Sequence, residues 1–183
     1  MNELSLNILD ITQNSITVGA DLIEISVQED FINDKMEISI KDNGKGMTEE
    51  QVSKVIDPFF TTRTTRKVGM GVPLFKMAAE MTGGDFKIES EKGIGTFIYA
   101  SFKISHVDLV PLGDMCSTMS VLIRCNPDIN FLYKQKVNDK EFILDTREIR
   151  NVLGDDVVLN SEDVLKWIEE YIKENTEDIY GGI

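Results

Sequence analysis

The sequence predicts an α+β fold on three observations. A helical hydrophobic period opens the chain, two alternating stretches follow it, and a hairpin pattern at 86–104 comes after a glycine-bounded helix. In residues 4–18, Leu4, Ile8, Ile11 and Ser15 mark one stripe, widened by Leu9 and Ile16, while Asp10, Asn14 and Thr17 share another face. Gly19 closes this helix. Residues 22–27 and 36–40 alternate apolar with polar side chains, as half-buried strands do, and Asn33-Asp34 between them suits a turn. The loop Asp42-Asn43-Gly44-Lys45-Gly46-Met47 leads to Thr48-Glu49-Glu50-Gln51, the capped start of a short helix to about Ile56. Asp57-Pro58 ends it. Residues 59–67 read as irregular, Gly69-Met70-Gly71 leads into a helix over 73–81, and Pro73 fits its first turn. Gly83-Gly84 then turns the chain into strands at 86–90 and 96–104, joined through Gly93-Ile94-Gly95.

A boundary is expected within 105–114, dividing a unit at 1–106 from a small α+β C-terminal extension at 107–183. In the extension, 115–124 leans towards helix, and 131–136 and 141–144 read as strands about the turn Asn138-Asp139. Ser161 caps a final helix whose stripe is Val164, Leu165, Ile168, Tyr171 and Ile172. Trp167, at the edge of that stripe, is expected to be buried, with a partner contact as the second reading.

The formal charge is −13 over 183 residues, and about half of it lies after Asn151. That balance argues against nucleic acid as a partner. No apolar run approaches the ~20 residues of a membrane span, the start lacks a secretion signal, and the two cysteines have no metal-ligand spacing. A cytoplasmic setting is the expectation. The cluster Arg63, Arg66 and Lys67 interrupts the acidity; it reads either as a solvated patch or as a phosphate-binding group.

Several residues carry chemistry. The Asn14 amide oxygen is a hard ligand suited to Mg²⁺, and Asp10 one turn earlier could act as a general base; both could equally be solvent-facing polar residues. Asp42, at a strand end before Gly44 and Gly46, can accept a hydrogen bond from an exocyclic amine. Gly69 and Gly71 before a helix offer free N–H groups and a helix dipole to phosphate. No Walker loop occurs, and Leu74 stands where a dinucleotide fingerprint needs its third glycine.

Taken in order, Asp10-x-x-x-Asn14, Asp42-x-Gly44-x-Gly46, Phe59-Phe60, Gly69-x-Gly71 and Gly93-x-Gly95-Thr96 closely resemble the N, G1, F, G2 and G3 boxes of the GHKL superfamily, which includes gyrase, Hsp90, histidine kinases and MutL. The resemblance covers about residues 4–104, and the stretch 57–71 looks like a sensor-kinase catalytic domain with a short ATP lid. It implies the Bergerat fold, a two-layer sandwich with helices on one face of a mixed, mostly antiparallel sheet. It implies ATP and Mg²⁺ as ligands, with Asn14 on the metal and Asp42 on the adenine amino group. Gly44, Gly46 and Met47 would shape the adenine pocket and Thr96 would reach the ring. Gly69 and Gly71, with Val72 and Leu74 beside them, would approach the nucleotide. Phe59 and Phe60 would anchor the lid, and Arg63, Arg66 and Lys67 would move over the phosphates.

Histidine kinases usually carry Asn where Asp10 stands. The acid looks more like ATP-hydrolysing members and anti-sigma serine kinases, and Asn14-Ser15-Ile16 through Gly19-Ala20 resembles MutL. The chain is expected to lack its own phosphoacceptor helix, and its single histidine, His106, is expected to be structural or exposed. The tail resembles additions on stand-alone ATP-binding proteins associated with iron-only hydrogenase components, which would make a redox complex the protein partner. Three functions are compatible with this sequence: a GHKL-type kinase or slow ATPase, a non-catalytic ATP sensor, and an assembly factor whose acidic extension docks a basic partner.

Overall fold

A computed structural model describes residues 3–59 and 70–181. The elements are α1 (Leu4–Thr17), β1 (Leu22–Asp30), β2 (Lys35–Asp42), α2 (Glu49–Val55), α3 (Gly71–Met81), β3 (Phe86–Glu91), β4 (Gly95–Lys103), α4 (Met115–Cys125), β5 (Asn130–Val137), β6 (Lys140–Asp145), α5 (Thr146–Leu153) and α6 (Glu162–Tyr180). The strands form one six-stranded sheet in the order β3-β4-β2-β1-β5-β6. Every neighbouring pair is antiparallel except β1 with β5. This is the mixed, mostly antiparallel sheet of the expected sandwich.

Alternation decides which face is buried. Ile23, Ile25 and Val27 of β1 sit beside Asp42, Ile40 and Ile38 of β2, and Phe131, Tyr133 and Gln135 of β5 on the other side. All nine are buried, because the period of two sends them to the same face of the sheet. Against that face α1 packs on α3 and α4, α4 packs on α6, and Phe75 of α3 meets Phe102 of β4 with ring centroids 5.7 Å apart. The opposite face keeps polar side chains, including the pairs Lys41–Glu24 and Lys134–Glu141. Among the described residues no helix is long and apolar enough to cross a membrane.

The segment after residue 106 extends this sheet. After β4 the chain passes through α4 and returns as β5, parallel to β1, which places α4 and α6 in the same helical layer as α1. One hydrophobic core runs through both halves. Its far end is closed by a polar cluster: Tyr133 donates to Gln135 at 2.9 Å, and Tyr180 near the end of α6 donates to Glu29 of β1.

Two features depart from the sequence reading. Helix α5 was not anticipated; Asp145 caps it, accepting from the Arg147 N–H at 2.9 Å, and the apolar spacing Ile149, Val152, Leu153 is its signal. The expected burial of Trp167 is corrected: it is 51% exposed. At about 100° per residue, Val164, Leu165, Ile168 and Ile172 centre the buried stripe, and Trp167 falls on its flank beside Tyr171.

Burial raises the Glu29 carboxyl above the usual glutamate range, against the lowering effect of the Tyr180 hydrogen bond. The folded state therefore favours the protonated form, and that contribution is lost as pH rises through the raised value. Glu29→Gln, a neutral isostere, should raise stability relative to wild type more at pH 8 than at pH 4. Urea denaturation at the two pH values checks this.

Candidate functional site

Helix α1 is carried to the sheet by its Leu4–Ile8–Ile11–Ser15 stripe, which leaves Asn14 half-buried beside the end of β2. There the Asp42 side chain is 8% exposed. Ser15 Oγ donates to Asp42 Oδ2 at 2.6 Å, and the Gly44 N–H donates to Oδ1 at 2.9 Å. A buried carboxylate without such partners would be strongly destabilising, so these bonds fix the end of β2 against α1.

The loop after Asp42 is anchored at several points. Asn43 Oδ1 accepts from the N–H groups of Asp21 and Leu22, both at 3.0 Å. The Gly93 N–H donates to Lys45 O at 2.6 Å, and the Met47 N–H donates to Ser90 Oγ at 2.8 Å. Ser90 and Thr96 hydroxyls lie 2.8 Å apart. The close approach of this loop to the β3–β4 hairpin requires Gly46, at φ +65°, because a Cβ there would lie 1.9 Å from the Glu91 carbonyl oxygen.

Between α1, α2, the loop and the sheet lies a cavity of about 380 Å³, within the usual range for small-molecule sites. Asn14, Asp42, Gly46, Met47, Val72 and Thr96 line it together, although they are spread over more than 80 positions of sequence. Its walls are mainly apolar, from Ile11, Val18, Val55, Ile88 and Ile98. A flat aromatic ligand with a few polar edges suits such a slot.

The other expected site residues fall as follows. Gly44 lies behind Asp42, where a Cβ would come 2.9 Å from Val18 Cγ2. Asp10 and Gly71 touch each other next to the cavity without lining it: a Cβ on Gly71 would be 2.8 Å from Asp10 Cβ. Partial burial raises the Asp10 carboxyl above the ordinary aspartate range. Leu74 is half-buried on α3 and does not line the cavity. Phe59 is exposed. Phe60, Arg63, Arg66, Lys67 and Gly69 lie outside the described residues. His106 sits apart, half-buried after β4, with Nδ1 accepting from the Asp108 N–H at 3.1 Å.

Sequence reasoning missed Ser15, Gln51, Lys54 and Val55 in this site. Ser15 reads as part of the buried stripe, and only its partner 27 positions away gives it a role. Helix α2 has the capping box expected of it, but nothing in its pattern shows which face meets a cavity.

Among the described residues no cluster of three His, Cys, Asp or Glu could hold a metal. The single hard oxygen at Asn14 fits Mg²⁺ held chiefly by phosphate oxygens and water, since that ion usually keeps several waters and few protein ligands. A second cleft, about 610 Å³, opens on the other face of the sheet. Although larger, it is lined by Glu24, Glu89 and Glu91 against one lysine, Lys41, which pairs with Glu24, and the remaining negative charge would repel a polyphosphate.

Residues 1–106 match the family described as histidine kinase-, DNA gyrase B- and HSP90-like ATPase. Sporulation kinase E of Bacillus subtilis (strain 168) is 33% identical over 104 residues, 56% of this chain and 14% of that protein. Sensor protein DegM of Bacillus sp. (strain B21-2) is 27% identical over 103 residues, 56% of this chain and 27% of that protein. The match thus spans well under a third of either relative. In structure, the Aquifex aeolicus MutL ATPase domain complexed with ADP aligns with a TM-score of 0.51 and 14% identity, over 84% of this chain and 69% of that one. That likeness is one of fold, and it reaches beyond residue 106.

Removing the Ser15 hydroxyl should leave the buried Asp42 carboxylate one donor short, at a cost of about 1–3 kcal/mol. Chemical denaturation of Ser15→Ala measures it; unchanged stability would mean that the bond is not formed in solution.

Proposed function

This chain belongs to the histidine kinase-, DNA gyrase B- and HSP90-like ATPase family, and from that premise we propose that its helix-side cavity binds Mg-ATP and transfers or hydrolyses the terminal phosphate under the control of a protein partner. The observation that carries this reading is the convergence of Asn14 and Asp42 on one apolar slot closed by Thr96 and Met47. Asp42 has its oxygens held by Ser15 and Gly44, and would accept a hydrogen bond from the adenine amino group. Met47, Val72 and Ile98 would sandwich the ring, and Thr96, held beside Ser90, would select its polar edge.

Asn14 would hold Mg²⁺ through its amide oxygen, and the ion would supply charge neutralisation to the phosphates. Gly71 opens α3, whose first turn would turn the N–H groups of Gly71 and Val72 towards an anion. Arg63 and Lys67 are proposed to reach the phosphates from the preceding segment. Asp10, adjacent to Gly71 and raised by partial burial, would take a proton from the attacking water or hydroxyl. A base must be deprotonated to act, so a raised value moves the acid limb of the rate profile upwards from the ordinary aspartate range.

One observation favours a second reading. Asp10 does not line the cavity that Asn14 and Asp42 share, so the chain would bind ATP and change a partner-facing surface without turnover. The protein partner is proposed to be either a phosphoacceptor or a complex that the chain regulates.

Asp42→Asn should weaken ATP binding by about 1.5–3 kcal/mol, roughly 10- to 150-fold, as measured by titration calorimetry. Equal affinity in the two proteins would refute the adenine assignment. Asn14→Ala should abolish the Mg²⁺ dependence of binding. Asp10→Asn should keep ATP affinity and lose release or transfer of radiolabelled γ-phosphate. Tight binding with no turnover by wild type, even with the partner present, would select the sensor reading.

A further inference from the structure

The nucleotide cavity lies towards one side of the sheet, and the other side carries a feature that it does not use. Between β6, α5 and α6 runs a groove of about 460 Å³, floored by Ile143, Val152, Leu153, Trp167 and Tyr171. Three of these are conspicuously open to solvent: Val152 is 86% exposed, Trp167 51% and Ile143 47%. A cluster of this kind on a surface with a charge of −13 is a marked departure from its surroundings.

The groove is preformed. Trp167 and Tyr171 are stacked with centroids 5.3 Å apart and planes at 21°. The Tyr171 hydroxyl donates to the Ile143 carbonyl at 2.9 Å, and Phe142 meets the Tyr171 ring edge-on at 6.2 Å. These contacts hold an aromatic pair in place at the edge of an apolar trough.

Charge identifies the occupant. Glu148 lines the groove, and Asp163, Glu170 and Glu174 lie three or four positions from Trp167 or Tyr171, on the same side of α6. None of the four forms an ion pair among the described residues. An acidic rim about a stacked aromatic pair attracts a cation, and guanidinium stacks best on such a face. A second copy of this chain would bring the same acids against each other.

We propose that the groove between β6, α5 and α6 docks a basic segment of a partner protein, with an arginine on the Trp167–Tyr171 pair and flanking apolar side chains against Ile143 and Val152. The site is separate from the nucleotide cavity, with which it shares no lining residue.

Trp167 is the only tryptophan, so its emission reports the groove directly. The full chain is titrated with a fluorescein-labelled peptide of alternating leucine and arginine, and with the same peptide carrying glutamate for arginine. The basic peptide should bind saturably, perturb Trp167 emission and weaken with added salt; the acidic peptide should not bind. Trp167→Ser and Val152→Ser, read by anisotropy, should each weaken binding about tenfold. The Val152 side chain is so exposed that its replacement leaves the fold intact. Glu148→Lys with Glu170→Lys should weaken binding further. Asp42→Asn should leave it unchanged, which separates this result from any failure at the nucleotide site. Absent or non-saturable binding of the basic peptide, or wild-type affinity in both the Val152→Ser and Trp167→Ser variants, would overturn the proposal. So would self-association in the ultracentrifuge that Trp167→Ser abolishes, because it would make a second copy the occupant.

Discussion

The buried carboxylate of Asp42 is the constraint around which this half of the molecule is organised. A carboxylate at 8% exposure must have its acceptors satisfied, and here the donors come from Ser15 on α1 and Gly44 in the following loop. Meeting that demand brings the polar edge of α1 to the end of β2, where Asn14 joins Asp42 on one wall. The same loop must then pass under the β3–β4 hairpin, which only a glycine at position 46 permits. The cavity follows from these two requirements: polar groups are fixed on one wall, and apolar side chains from sheet and helices are left facing inward.

The other side of the sheet obeys a different logic. Strand β5 joins β1 in parallel, so the chain after residue 106 continues the sheet and the helical layer. Burial of Phe131, Tyr133 and Ile168 against the shared core ties the acidic C-terminal helix to the strands that lead to Asp42. Packed elements thus connect α6 with the cavity proposed for the nucleotide. A regulatory role for the protein would have a physical route of this kind.

Much of this was legible in the sequence where a local pattern reports a local fact. The stripe Leu4–Ile8–Ile11–Ser15 and the alternation Met36–Ile38–Ile40 specify their elements, and the turn at Asn138 lies between the expected strands. The family followed from motif order, since each box is weak alone. Non-local facts were less readable. Nothing in the sequence states that β5 pairs with β1 in parallel, because strand neighbours are set by the whole core. The role of Ser15 depends on a residue far along the chain, and the exposure of Trp167 depends on which flank of α6 meets the sheet. Helix α5 is hard to read from sequence because it is short and follows its strand without a separating turn.

The account rests on one spatial claim, that a nucleotide lies in the slot between α1 and the sheet. A crystal structure of the chain with a non-hydrolysable ATP analogue and Mg²⁺ tests it most directly. The adenine amino group should lie within hydrogen-bond distance of the Asp42 carboxylate, and the metal on Asn14. A nucleotide seated instead in the larger cleft beside Glu24 and Phe97, on the opposite face, would contradict it.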